Sequence, residues 1–193
     1  MKNFKWSVVS FDSRPIYVVL FVSRKKDNKH IENFVERREA FITHHNWNDE
    51  VLITKFEEFV NRGQEKEFSR MYISINERNG KTIHKELLHF LIDNPEFNLC
   101  SLGAKLAGIA AQKECALSKR WMFDFDFEDA TTLYSFVEDI KRYAGEIEIK
   151  VHKTPHGWAI ITEHGFDTRE LVKRWPEVGI KRDDLLCVNW KEK

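Results

Sequence analysis

The chain has 193 residues, of which 42% are apolar, 32% charged and 15 are phenylalanine, a composition that supports a buried core and excludes an intrinsically disordered chain. Its 31 Lys and Arg balance 31 Asp and Glu, so a globally basic surface that binds nucleic acid by charge alone is excluded, and only a local patch can serve. The cysteines, Cys100, Cys115 and Cys187, are odd in number and far apart, which excludes a disulfide framework and a zinc knuckle and points to a reducing compartment.

The opening stretch, MKNFKWSVVS, lacks the long apolar run of a signal peptide, and no later segment reaches the ~20 apolar residues of a membrane span. A cytoplasmic chain with no membrane partner is expected. Pro15 to Ser23 is almost continuously apolar and rich in β-branched and aromatic residues, as in a central strand covered on both faces. Arg24 to Lys29 follows as a polar turn with clustered positive charge, either a solvated loop or a phosphate-contacting one. Asn33 to Thr43 alternates without a purely apolar face and reads as an edge strand. Asn46 to Asp49 supplies cap residues for a helix with Leu52, Phe56, Phe59 and Val60 on one stripe, closed by Gly63. In Phe68 to Asn76, Met71, Ile73 and Ile75 alternate with Arg70, Tyr72, Ser74 and Asn76. This predicts a half-buried strand whose polar face either meets solvent or, through Arg70, Tyr72 and Asn76, reaches a substrate. Two helices are expected next, one carrying Ile83, Leu87, Leu88 and Leu91 and ending before Pro95, the other over Leu99 to Ala116. His84 and His89 do not share a helical face and read as exposed.

The stretch Trp121 to Asp129, WMFDFDFED, is the most informative. Successive strand residues point to opposite faces, so Phe123, Phe125 and Phe127 would face a core while Asp124 and Asp126 share the other side, about 7 Å apart. Two such aspartates can simply meet solvent. Asp is nevertheless depleted in strands and like charges on one face repel, whereas two hard oxygen donors on a rigid strand suit Mg²⁺ or Mn²⁺. Beyond this strand a helix capped near Asp129 and ended by Gly145 is expected, followed by a hairpin of strands 146–152 and 158–162 turning at Thr154-Pro155-His156-Gly157. A short helix over 167–175, a connection over 176–184 and a final strand over 185–190 complete the order. The fold class is therefore α+β. A ferredoxin-like, RRM-like βαββαβ unit over 119–193 packs with a mixed α/β subdomain over 1–118 in one compact body.

Three of these features, Asp124-x-Asp126, the Thr154 to Gly157 turn and the acidic pair Asp183-Asp184 before the final strand, together resemble the catalytic core of the archaeo-eukaryotic primase superfamily over Trp121 to Trp190. The resemblance implies metal-dependent nucleotidyl transfer of primase-polymerase type on nucleic acid or nucleoside triphosphates, with Mg²⁺ or Mn²⁺. Asp124, Asp126 and one of Asp183 or Asp184 would be the carboxylates, and Thr154, His156 and Gly157 would lie on the phosphate-contacting turn. Lys153, Lys181 and Arg182 would neutralise triphosphate or template backbone. The RMYISIN strand and the spacing of the later motifs are similar to those of small phage-encoded proteins of this type. One departure stands out, since Ala159 occupies the place of the family's histidine. A second reading is thus a nucleic-acid- or nucleotide-binding module that kept the fold and lost the chemistry, with Tyr72 and Trp158 available to stack bases. A third is a viral protein that engages a host protein.

Overall fold

The structure, a computed structural model, describes residues 14–193. The reading of Met1 to Ser10 lies outside the described residues. Among the described residues there are eight strands: β1 (Tyr17–Ser23), β2 (Arg37–Thr43), β3 (Phe68–Ser74), β4 (Trp121–Phe125), β5 (Ile149–Thr154), β6 (Gly157–Thr162), β7 (Gly179–Lys181) and β8 (Leu185–Glu192). The helices are α1 (Glu50–Asn61), α2 (Gly80–Asp93), α3 (Leu102–Ala110), α4 (Ala130–Ala144) and α5 (Arg169–Arg174). The strands make two antiparallel four-stranded sheets, in the orders β2-β1-β3-β8 and β5-β6-β4-β7. The architecture is mixed α+β.

In the first sheet, β1 is central because its alternate residues have partners on both sides. Val19 and Phe21 meet the apolar stripe of α1, Leu52, Phe56, Phe59 and Val60. Val18 faces the α2–α3 hairpin through Ile83, Ala107 and Ala110. Helix α1 starts where expected, its N-cap Asp49 accepting from the Val51 amide. In the second sheet, Phe123 and Phe125 of β4 and Ile160 of β6 pack on Phe136 and Ile140 of α4 and Leu171 of α5. Asp129 caps α4 by accepting from Thr132 through both its amide and its hydroxyl. Gly145 ends the helix at a positive φ of 73°, a conformation that suits glycine. The two helices are clamped by Asp139, buried to 2% exposure, which accepts from Trp175 Nε1 at 2.9 Å and pairs with Arg142 and Arg174.

Several expectations change. The strand at 185–190 does not finish the second sheet; as β8 it pairs with β3, Ile73 opposite Leu186, and completes the first. The fourth strand beside β4 is the three-residue β7, inside what reads in sequence as a connection. Strand β3 is buried on both faces, not half-buried: Ser69 is at 0%, Arg70 at 6%, Ser74 at 3% and, just beyond the strand, Asn76 at 1% exposure. Helix α3 covers only Leu102–Ala110, with single 3₁₀ turns at Leu99–Ser101 and Lys113–Cys115. His84 and His89 are exposed, as read. No helix among the described residues is long and apolar enough to cross a membrane.

Candidate functional site

The alternation in β4 works as its chemistry dictates. The phenylalanines turn to the helices, and Met122, Asp124 and Asp126 turn the other way, into a cleft of about 620 Å³ between the two sheets. The floor of that cleft is apolar, made by Leu20 and Val22 of β1, Met122, Ala159 of β6, and Leu186 and Cys187 of β8. Tyr72, opposite Cys187 in register, lies over it beside a β-bulge, a distortion common next to functional sites. Burial raises the Tyr72 hydroxyl above its ordinary pKa, and burial pushes the Cys187 thiol to about 11.

One wall is acidic. Asp124, paired in register with Ala159 and Gly179, is half-buried, and Asp126 and Asp184 stand close enough to act on it. Burial is the largest reason its carboxyl is held above the usual range; repulsion from Asp126 and then Asp184 adds to it, while Lys181 and Lys26 partly offset both. The hairpin turn is seated on the same strand by Gly157. A Cβ there would lie 2.2 Å from the Phe125 carbonyl oxygen, at a backbone φ of 152°, so only glycine lets the turn approach Asp126 this closely.

The facing wall is basic. Arg24, Lys26, Lys29 and Arg38 reach the cleft with Arg70, whose Nη2 donates to Asp27 Oδ1 at 2.8 Å and to His156 Nε2 at 3.0 Å. His156 thus crosses from the hairpin of one sheet to a strand of the other. Asp27 also accepts from Arg24 Nε at 2.7 Å through its second oxygen. The polar turn at 24–29 therefore belongs to the site, and Asp27, not singled out in sequence, is its hub.

Not every expected residue is gathered here. Asp124, Asp126, Asp184, Arg70, Thr154, His156 and Lys181 line the cleft. Asp183 does not: its carboxylate takes two hydrogen bonds from Arg78, at 2.8 and 2.9 Å, and one from Asn76 Nδ2 at 3.0 Å. Asn76 is in turn tied to Ser118 and Arg120, so both residues belong to a buried polar knot where the two sheets join. Lys153 sits with Trp158 on the helix side of the second sheet, its ammonium 4.4 Å from the ring centroid. Arg182 lies over Trp121 at 5.0 Å. Trp158 packs with the α4–α5 core and offers no face to the cleft. No family model, curated protein or solved structure matches the chain.

The donor chemistry of the acidic wall fits a hard divalent cation. Its donors are carboxylate oxygens, and a half-buried carboxyl pushed up by two like charges is relieved by a bound cation. Among the described residues, no three Asp, Glu, His or Cys side chains converge closely enough to enclose an ion. Asp124 and Asp126 would therefore hold it with water and ligand oxygens filling the remaining positions, as Mg²⁺ prefers.

Proposed function

We propose that this cleft carries metal-dependent nucleotidyl transfer of the primase-polymerase type, acting on nucleoside triphosphate and nucleic acid. The observation that carries the reading is the division of one cleft into an acidic wall, Asp124, Asp126 and Asp184, and a basic wall around Arg24 and Arg70, over an apolar floor. A metal-bound nucleotide has parts to match: a divalent cation for the acidic wall, anionic phosphates for the basic wall and a base for the floor. Asp124 and Asp126 would hold Mg²⁺ or Mn²⁺, which when bound polarises phosphoryl oxygens and lowers the pKa of an attacking hydroxyl. Asp184, in preference to Asp183, is the third carboxylate of the acidic wall, adding negative charge beside the ion rather than enclosing it. Lys181 and Lys26 balance charge at the carboxylates, the arginines bind phosphate oxygens, and Tyr72 with the floor takes the base or sugar. The order β4-α4-β5-β6-α5-β7, with strands arranged β5-β6-β4-β7 and both helices on one face, supports the ferredoxin-like, RRM-like reading of this half, with β7 in the role expected of 185–190.

The test is calorimetric titration of Mn²⁺, with and without a nucleoside triphosphate, into wild type and Asp124→Ala/Asp126→Ala, followed by a nucleotide-incorporation assay. Metal binding and incorporation by wild type, both lost in a double variant that still melts cooperatively, is the expected result. Wild type that binds no metal with or without the triphosphate sinks the proposal. Ala159, directly opposite Asp124, favours one second reading, a nucleotide- or nucleic-acid-binding module without the chemistry. Its signature is salt-dependent affinity that survives the double substitution.

A further inference from the structure

We propose that the Asp27 carboxylate is an internal stand-in for a ligand phosphate, seated on an anion subsite formed by Arg24 and Arg70 and displaced when a di- or triphosphate tail enters. The inference rests on reading the cleft as phosphate-binding, but not on a metal ion being held there.

Arg70 carries it. The side chain is more than nine-tenths buried, yet it lines the cleft and its Nε finds no hydrogen-bond partner among the described residues. Arg78 Nε in the polar knot is orphaned in the same way, so what singles out Arg70 is that its guanidinium lines the cleft. Its hydrogen bonds to Asp27 and His156 both use the single nitrogen Nη2, and its other contacts are with the Tyr72 side chain and the Phe68 ring, so no carboxylate engages the two-nitrogen fork that recognises carboxylate or phosphate. Asp27 meanwhile places one oxygen on Arg70 and the other on Arg24, which is how a phosphate bridges two arginines.

The surroundings favour a highly charged ligand. On this wall Asp27 is one carboxylate among Arg24, Lys26, Lys29, Arg38 and Arg70, an excess of positive charge that suits a polyphosphate terminus better than a single phosphodiester. The loop is also built so that only the side chain must yield. Asn28, at 0% exposure, donates to Ser23 Oγ and to the Arg24 and Phe68 carbonyls and accepts from the Phe68 amide at 2.6 Å. The backbone next to Asp27 is thereby pinned to β3, and rotation of one carboxylate opens the seat.

The experiment is calorimetric titration of pyrophosphate in EDTA, using the full chain as wild type, Asp27→Asn, Arg70→Gln, Arg70→Lys and Asp124→Ala/Asp126→Ala. Asp27→Asn is expected to bind about tenfold more tightly than wild type, because the incoming anion no longer displaces a charged competitor. Arg70→Gln should lose binding, Arg70→Lys should retain part of it, and the double aspartate variant, which removes two negative charges from the same cleft, should bind at least as tightly as wild type. Equal or weaker binding by Asp27→Asn overturns the proposal, making Asp27 a brace and not a competitor. So does the absence of pyrophosphate binding in both wild type and Asp27→Asn. If the Arg70 variants fail to fold, the Asp27→Asn comparison decides alone. A short oligothymidylate without terminal phosphate serves as the second ligand; a gain from Asp27→Asn as large as that for pyrophosphate would overturn the assignment to a phosphate terminus. Because metal is absent throughout, failure here is distinct from failure of the Mn²⁺ titration.

Discussion

Asp183 and Asp184 are neighbours in the chain and opposites in the molecule. Asp183 is tied into the knot with Arg78, itself 2% exposed, and Asn76, and its charge is matched on the spot. Asp184 looks into the cleft, where its nearest basic partner is Lys181 at a loose 4.0 Å and where it adds to the repulsion on Asp124. The contrast separates a carboxylate that holds the fold together from carboxylates that weaken it in the absence of a ligand. Paired charge at Asp183 serves the architecture, and the under-compensated charge at Asp124 is what the proposed cation would offset.

The sharpest way to break this comparison is at the knot. Asp183→Ala leaves the Arg78 guanidinium buried without its counter-ion, and a loss of about 3–5 kcal/mol is expected in a urea melt. If that substitution costs no more than a surface change, the knot is not structural and the distinction collapses. At the cleft the sign should reverse. Asp124 has its folded-state pKa raised above the ordinary value, so the native state holds a proton that the unfolded chain releases first. Stability from this group is complete below the ordinary carboxylate range and is lost as pH rises through the folded value. Asp124→Asn should therefore flatten the fall in stability above about pH 4 and match or exceed wild type at neutral pH without metal, as measured by thermal melts across pH. A variant less stable than wild type at neutral pH would place Asp124 with the architectural carboxylates. The smallest effect concerns the thiols. Cys187 on the cleft floor, pushed up to about 11, and buried Cys115 should react with a disulfide reagent near pH 8 only on unfolding, whereas exposed Cys100 reacts at once. Rapid labelling of Cys187 in the native protein would mean that the floor is open to solvent.

Much of the candidate site could be read from residue order because it rests on local rules. The period of two in Phe123 to Phe127 puts aromatics and aspartates on opposite faces whatever the rest of the chain does, and Gly157 and Asp129 mark a turn and a cap through their own chemistry. What could not be read depends on partners far away. Asp183 and Asp184 differ only in which face of the chain meets Arg78, 105 residues earlier. Asp27 looks like one acid in a solvated basic turn until β3 brings Arg70 to it across 43 residues. Strand β7 has three residues, too few for any periodicity, and the sheet that β8 joins is decided by which open edge it meets, a tertiary matter that its own apolar pattern does not encode. Lys153 and Arg182 sit near the later motifs in sequence, but the alternation of strand faces and the pull of nearby indole rings carry them away from the cleft.

That β8 lies against β3 has a bearing on how the molecule comes into being. Residues 185–192 close a sheet whose other strands are made between Tyr17 and Ser74, so during synthesis β3 must wait with one edge unpaired while more than a hundred residues follow it. An exposed strand edge is a template for wrong partners. The second half, with a core of its own around Phe123 and Phe136, can consolidate in that interval, and the arrival of β8 then zips the first sheet shut and closes the cleft floor in the same event. Leu186 and Cys187 of the floor are therefore the last residues of the cleft to be made.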